Sequence, residues 1–169
     1  MSFFKKSALL FMVLCLGCKD GNLVVSKTPS IYEHCIDGFV LTQTKDGRLK
    51  MILESESAII NEYENIAYLK FPIVKFYDKG VHVSTFTMEN ANISMKTYDI
   101  NGKGKCSIDT VNNEHLQTSD LIYNASKKMV YSDSDVKIIK PGVVFYGTSF
   151  ESDAKLDKVV IKNQRIVLD

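Results

Sequence analysis

The sequence predicts an all-β fold, and three observations lead to that prediction. Apolar and polar residues alternate over many short stretches after residue 30, for example over residues 74–76 and 136–138. This period of two is typical of half-buried strands. Val, Ile, Tyr, Phe and Thr dominate these stretches, and turn signals such as Asp46-Gly47 and Asn101-Gly102 separate them. The third observation is an internal repeat.

The repeat has an apolar residue at its first position and a small or apolar residue five places later. Its copies begin 33, 30 and 29 residues apart. Residues five apart face opposite sides of a regular strand, so both reach one interior only if the strand bends or bulges between them. Four copies therefore predict about four bent hairpin units, which enclose a core between two antiparallel sheets. The copies are Leu53–Ala58, Phe86–Ala91, Leu116–Leu121 and Phe145–Phe150.

Length and composition fit a single globular domain. The chain has 169 residues, of which 45% are hydrophobic and 24% charged, and a chain of this size buries a substantial core. The formal net charge of +1 without a long run of one sign argues against a nucleic-acid-binding protein. The β domain is expected to span residues 31–169.

The first 18 residues have the features of an export signal. Lys5 and Lys6 precede the apolar run Ser7–Gly17, which has the length of the hydrophobic region of a signal peptide and is too short to span a bilayer. The run ends at Cys18 after a glycine, as lipoprotein signals do, so we expect a lipidated Cys18 followed by a polar tether over residues 19–30. An uncleaved signal anchor, or cleavage by an ordinary signal peptidase, is the alternative.

Cysteine usage is compatible with an oxidising compartment. If Cys18 is lipidated, Cys35 and Cys106 either form a disulfide or remain two thiols. The cysteines lack the spacing of a zinc site, and we expect neither a metal nor a cofactor.

Catalytic motifs are not found. The sequence has no Gly-x-Ser-x-Gly, no His-Glu-x-x-His and no phosphate-binding glycine-rich loop. Glu54, Glu56, Glu62 and Glu64 alternate on a polar strand face, which does not indicate a glycosidase pair. The protein is therefore not expected to be an enzyme, and a small lipid hydrolase or glycosidase is the weakest alternative.

The chain offers a large apolar interior instead. These side chains either fill a core or line a groove for acyl chains between two splayed sheets. Met88 and Met95 suit the second interpretation, because a flexible thioether adapts to varied ligands. The candidate residues are Leu53, Ile60, Val74, Phe76, Phe86, Met88, Ile93, Met95, Leu116, Leu121, Tyr123, Val136, Ile138, Phe145 and Phe150.

The C-terminal residues 158–169 are expected to form one strand. They are rich in Val and Ile and contain no proline. A terminal strand leaves unpaired backbone groups at the sheet edge, and that edge is either covered or used by a partner's strand.

Three stretches of the chain resemble the LptC family of lipopolysaccharide export proteins. Residues 45–55 resemble the family's opening turn and strand, and residues 71–91 its central block. Residues 116–121, with the Tyr-Gly-Thr-x-Phe sequence of residues 146–150, resemble the closing block. The stretches occur in the family's order.

The resemblance implies an open, twisted β-jellyroll that binds lipopolysaccharide or lipooligosaccharide. Such a protein is tethered to the inner membrane in the periplasm, takes the lipid from the LptB–LptF–LptG ABC transporter, and passes it to an LptA-like jellyroll by edge-strand pairing. The interior residues then become the groove lining. The structural and partner-facing residues are Tyr146, Gly147, Thr148, Val159, Ile161, Ile166 and Leu168.

One departure from the family concerns the N-terminus. Better-known members carry a transmembrane helix where this chain has a sequence typical of a lipidation site. A periplasmic docking or structural lipoprotein with a filled β core and no lipid ligand is the alternative function.

Overall fold

The computed structural model describes residues 33–168, and the described chain is all β. The expected export signal, the tether and Cys18 lie outside these residues. Fourteen strands alternate with short turns in this part of the chain. They are β1 (Glu33–Lys45), β2 (Arg48–Asn61), β3 (Ile66–Lys70), β4 (Ile73–Asp78), β5 (Val81–Thr87), β6 (Asn90–Ser94), β7 (Ile100–Thr110), β8 (His115–Asn124), β9 (Met129–Ser132), β10 (Val136–Lys140), β11 (Val143–Gly147), β12 (Ser149–Asp153), β13 (Val160–Lys162) and β14 (Arg165–Leu168).

The strands form one antiparallel sheet that is folded into two layers. In β2, residues 51–54 pair with β4, and residues 57–61 pair with β3. β7 and β8 divide between two sets of neighbours in the same way. Layer I contains β4, β5, β10, β11 and β14, and layer II contains β3, β6, β9, β12 and β13, while β1, β2, β7 and β8 run through both. The predicted all-β, antiparallel architecture is confirmed, and the two expected sheets are two layers of one sheet that share its long strands.

The chain builds these layers as a simple meander. Some bent strands are continuous, and others are divided into two short strands, one in each layer. Each of these units pairs with the units before and after it in sequence. The turns after β1, β4, β7 and β10 form the rim of layer I, and those after β2, β6, β8 and β12 form the rim of layer II. The bends join the two layers on the side opposite these rims. Each bent strand therefore follows a V from one rim to the other.

The four repeat segments lie at the four bends that lead from layer I to layer II. Leu53 pairs with β4 in layer I, and Ala58 pairs with β3 in layer II. Both side chains are buried, although a straight strand would place them on opposite faces. Phe86 in β5 and Ala91 in β6 repeat this relationship, and the remaining segments cross within β8 and from β11 to β12.

Serine side chains satisfy backbone groups at the bends. In the bend of β2, the buried Ser55 hydroxyl lies 2.8 Å from the carbonyl oxygen of Ser57 and 2.7 Å from that of Lys70. A small hydroxyl is suited to this position because it reaches backbone carbonyl oxygens two residues away and on the neighbouring strand. The bend therefore keeps a buried polar group hydrogen-bonded.

A second polar network closes the crossing from β9 to β10. The buried Ser132 hydroxyl donates to Oδ1 of Asp120, and the Ser134 N–H donates to the Ser132 oxygen at 3.0 Å. Partial burial of Asp120 disfavours its charge, but hydrogen bonds from Ser132 and Ser134 and the charge of Lys103 outweigh that effect. The net result is a lowered pKa for Asp120.

The prediction of one C-terminal strand over residues 158–169 was wrong. The structure has two short strands there, β13 and β14. Asn163 lies between them with φ of +49°, a left-handed conformation that asparagine tolerates. The break is needed because the chain crosses from layer II to layer I at this point. Residues 33–168 contain no helix long and apolar enough to cross a membrane.

Candidate functional site

The site is the interior between the two layers, and one row of apolar side chains runs through it from edge to edge. Cross-strand partners lie on the same face of a sheet, so the register fixes the members of the row. Its central members are fully buried, Phe145 is partly buried, and Ile166 at the edge is 48% exposed. The row therefore opens towards β14. In strand order it consists of Leu41, Leu53, Val74, Phe86, Ile108, Leu116, Ile138, Phe145 and Ile166.

The corresponding row on layer II contains smaller side chains. It consists of Ala58, Leu69, Ala91, Gly102 and Leu121. Met88 fills the space beside Gly102, where an added Cβ would lie 2.5 Å from the Met88 sulfur. A thioether side chain has several low-energy shapes and repacks easily. This part of the interior is therefore the most adaptable.

Three aromatic rings occupy the centre of the interior. The Phe76 and Phe86 ring centroids lie 4.6 Å apart in layer I, and the Phe86 ring meets Tyr123 of layer II edge-on at 6.3 Å. Burial, and then the nearby charge of Asp99, raises the pKa of Tyr123 to about 12. The phenol is thus held in its neutral form by the apolar surroundings.

The structure brings the fifteen candidate groove residues into one cluster. Ile60, Met95 and Phe145 are partly buried and pack against that cluster, and the others are buried within it. In the conformation described, these side chains fill the space between the layers. They would line a groove only where the two layers separate.

Several core residues were missed in the sequence. Ile100 and Ile108 flank a polar and glycine-rich stretch of β7, and Leu156 stands alone between charged residues. For Ile108, the available signal was alternation with its neighbours. For Leu156, nothing in the local pattern indicates burial. The other missed residues include Phe39, Met51, Leu69 and Val130.

Tyr146 faces away from the interior, because its neighbour Phe145 faces inward. The Lys137 ammonium nitrogen lies 5.8 Å from the Tyr146 ring centroid, and the central guanidinium carbon of Arg165 lies 4.9 Å from it. Cations at these distances are attracted to an aromatic face. Tyr146 therefore connects β10, β11 and β14 on the outer face of layer I.

Gly147 and Thr148 lie where the chain crosses from β11 to β12. A Cβ on Gly147 would lie 2.7 Å from the carbonyl oxygen of Lys162 and would also meet Ile161. The Thr148 N–H donates to that carbonyl at 3.1 Å, and the Asn163 side-chain amide donates to the Thr148 hydroxyl at 3.0 Å. The backbones approach too closely here for a side chain at position 147.

The two edges of the sheet differ in how their apolar residues are covered. At the C-terminal edge, Val159 and Ile161 pack partly against the core, whereas Ile166 and Leu168 are exposed. At the other edge, β1 pairs with β2 alone, and Val40 on it is 62% exposed. Within the described residues, both edges present backbone groups that no further strand pairs.

The thiols do not pair with each other. Cys35 is exposed on β1 and Cys106 is buried on β7, and both are free. Three bent strands separate β1 from β7, a distance on the order of 15–20 Å at normal strand spacing. Burial, and then the charge of Asp120, raises the pKa of Cys106 to about 11. Residues 33–168 contain no group of three metal-binding side chains.

Comparison with protein families identifies one match over nearly the whole chain. The family model described as lipopolysaccharide-assembly, LptC-related, matches residues 8–169. No curated protein matches the chain.

Comparison with solved structures supports the description of the fold. The chain is similar to the crystal structure of LptH from Pseudomonas aeruginosa, described as the LptA-homologous periplasmic component of the lipopolysaccharide transport device. The TM-score is 0.57 and the sequence identity 12%, over 70% of this chain and 94% of LptH. At this identity, the likeness concerns the fold alone.

Proposed function

This chain belongs to the LptC family of lipopolysaccharide-assembly proteins, and we propose that it is the membrane-anchored periplasmic carrier of its export path. In this role it accepts lipopolysaccharide or lipooligosaccharide from the LptB–LptF–LptG ABC transporter. It then passes the lipid to an LptA-like jellyroll. The observation that supports this function best is the apolar row from Leu41 to Ile166, because it crosses every strand of layer I and leads to a sheet edge.

The row suits acyl chains because they need a continuous apolar surface and no polar partner. Burial contributes about 0.8 kcal/mol per CH₂ group, so a twelve-carbon chain gains at most about 10 kcal/mol. Each chain would replace interior side-chain contacts as the layers separate. Ala58, Ala91 and Gly102 leave the most room for such a ligand, and the flexible Met88 side chain beside Gly102 moves aside most easily.

The two edges suit two partners. Strand addition extends a sheet through backbone hydrogen bonds, and side-chain rows then continue across the joint. We assign the β13–β14 edge to the LptA-like protein, because Ile166 carries the apolar row out to that edge. The β1 edge remains for the transporter side.

Anchoring is assigned to the N-terminus. A lipid on Cys18 would hold the protein at the periplasmic face of the inner membrane, with residues 19–30 as the tether. An uncleaved signal anchor would serve the same purpose. The carrier role uses no catalytic group, metal or cofactor, and the energy for transport comes from the transporter's ATPase.

A second function is favoured by the filled interior. In a docking or structural lipoprotein, the buried cluster is simply a core, and the edges bind protein partners without a lipid. The two functions make opposite predictions for contact between lipid and the interior.

Site-specific photo-crosslinking of the full chain in cells separates the two functions. A benzophenone side chain replaces Phe145, which faces the interior, and in a matched variant it replaces Tyr146, the next residue, which faces outward. Lipopolysaccharide adducts at position 145 but not at 146 are the expected result. Equal adduct formation, or none from folded and exported protein, would leave the docking function as the better account.

A further inference from the structure

The connection between β12 and β13 crosses the open side of the fold. This segment, residues 154–159, is called the strap here. It leaves the rim of layer II at the end of β12, where Asp153 accepts hydrogen bonds from the Leu156 and Asp157 N–H groups at 3.2 and 2.9 Å. Its longer-range polar contacts are with the rim of layer I. The Lys155 ammonium lies 2.6 Å from Oδ2 of Asp78 in the β4–β5 turn, so the strap spans the two rims.

A second contact holds the strap to the β10–β11 hairpin. The Lys140 ammonium donates to the carbonyl oxygen of Leu156 at 3.0 Å and lies 2.8 Å from Oε1 of Glu114. The other carboxylate oxygen of Glu114 is buried and has no hydrogen-bond partner. Lys140 neutralises the largely buried Glu114 carboxylate. This ion pair does not involve the strap, so Lys140 would keep Glu114 as a partner if the strap moved away.

Leu156 is the part of the strap that enters the interior. Its side chain is 0% exposed and belongs to the core cluster, although its neighbours Lys155, Asp157 and Lys158 are charged. Its φ is +60°, which is uncommon for a leucine and persists only where surrounding contacts hold it. Ala154 and Val159 pack against the same cluster from the two ends of the strap.

We propose that the strap is a displaceable cover over the mouth between the layers, and that Leu156 occupies space that a lipid acyl chain takes when the strap opens. This inference rests on the proposed function and names the residues that control entry to the same interior. The Leu156 side chain and an acyl chain are both apolar hydrocarbon. An acyl chain can therefore take the place of Leu156 without leaving a buried polar group unpaired. The strap therefore keeps the empty carrier closed.

The polar contacts of the strap suit reversible opening. The Lys155 and Asp78 side chains are 38% and 45% exposed, so water screens their attraction and replaces it readily. Opening also breaks the bond from Lys140 to the Leu156 carbonyl, which water can then hydrate. The apolar contacts of Leu156 are the larger part of the closed state, and these are the contacts that a lipid restores.

The test compares Lys155→Gln with Lys158→Gln in the full chain. Both remove one lysine charge from the strap, but Lys158 is exposed and lies outside the contacts described. Three readouts are used: hydrogen exchange of residues 154–159, binding of a fluorescent fatty acid, and lipopolysaccharide adducts from a benzophenone at position 145.

Lys155→Gln is expected to accelerate exchange in the strap and to raise fatty-acid binding and adduct yield. The expected factor is roughly two- to fivefold, which corresponds to the loss of one partly exposed ion pair. Lys158→Gln should leave all three at wild-type values. Unchanged exchange in Lys155→Gln would show that the ion pair does not hold the strap, and faster exchange without increased fatty-acid binding would show that the strap does not control entry. Either result overturns the inference.

Failure of the proposed function gives a different pattern. If no variant forms lipopolysaccharide adducts but Lys155→Gln still increases fatty-acid binding, the strap is a cover and the lipid assignment is wrong. If adducts form equally in all variants, the carrier function stands and the strap is not its gate.

Discussion

Phe76 of β4 and Tyr123 of β8 lie against each other across the interior, with ring centroids 4.6 Å apart and ring planes at 56°. Phe76 belongs to layer I, and Tyr123 lies in the part of β8 that belongs to layer II. Tilted aromatic pairs contribute beyond the area that they bury. This contact therefore links the two layers at the centre of the fold.

Removal of the Phe76 ring should destabilise the protein strongly. Phe76→Ala leaves a cavity beside two other rings, and the free energy of unfolding should fall by about 3–5 kcal/mol, as measured by urea denaturation. Phe71→Ala is the matched control, because that ring is 56% exposed and its loss should cost less than about 1 kcal/mol. Equal losses from the two variants would mean that Phe76 does not hold the layers together.

The buried Tyr123 phenol should make stability depend on alkaline pH. Its pKa in the fold is raised to about 12 from the ordinary tyrosine value of about 10. The folded-state pKa is raised, so the contribution is fully present below pH 10 and is lost as pH rises towards 12. Denaturation midpoints measured between pH 8 and 11 should fall more steeply for the wild type than for Tyr123→Phe. Parallel profiles would contradict a buried neutral phenol.

Asp120 should make stability depend on acidic pH in the opposite sense. Its pKa is lowered in the fold, so its contribution is present above the unfolded value of about 3.9 and is lost as pH falls through the folded value. At neutral pH, Asp120→Ala should cost roughly 1–3 kcal/mol, because the buried Ser132 hydroxyl loses a charged acceptor. Asp133→Asn, in the neighbouring exposed turn, should have little effect, and a similar loss there would rule out a specific role for Asp120.

A side chain at position 147 should disrupt the last crossing. Gly147→Ala places a methyl group 2.7 Å from the Lys162 carbonyl oxygen and against Ile161, so the midpoint of thermal unfolding should drop, with a loss of roughly 1–3 kcal/mol. Ile161→Ala in the same chain should recover part of the loss because it removes one of the two contacts. A stable Gly147→Ala variant would show that the backbones there can separate freely.

Substitution of Ile166 or Val167 by glutamate should leave the protein folded, but only the change at Ile166 should affect lipid transfer. Ile166 is 48% exposed and Val167 is 41% exposed, but Ile166 lies on the interior row and Val167 faces outward. Ile166→Glu should reduce lipopolysaccharide adducts at position 145 several-fold while leaving the protein folded, because it places a charge in the apolar path. Val167→Glu is the control, and equal effects would argue against a path along this row.

The forward bends were predictable because each one produces a recognisable pattern of apolar residues in the sequence. Leu53 and Ala58 are an odd number of positions apart and both apolar, a pattern that a straight strand cannot bury. The last return crossing leaves no such pattern, since it is made by the short polar stretch around Asn163. For this reason the four forward bends were found, whereas the C-terminal strand was wrongly predicted to be continuous.

The site was only partly predictable for a related reason. Phe86, Leu116 and Ile138 follow regular alternation, which reveals their face. Leu156 is buried in the apolar core, in a strap whose partners Asp78 and Lys140 lie on distant turns, and local sequence carries no information about these contacts. The closure of the interior depends on that long-range packing and is known only from the fold.

The meander has a consequence for the end-to-end pairing of jellyrolls that we propose. Each bent strand forms backbone hydrogen bonds only with the strands next to it in sequence, so the pairing follows a one-dimensional array with nearest-neighbour coupling. A joint between two such chains at their edges repeats the coupling that already exists between two strands of one chain. A lipid that moves along the array would then encounter no distinct boundary where one polypeptide ends and the next begins.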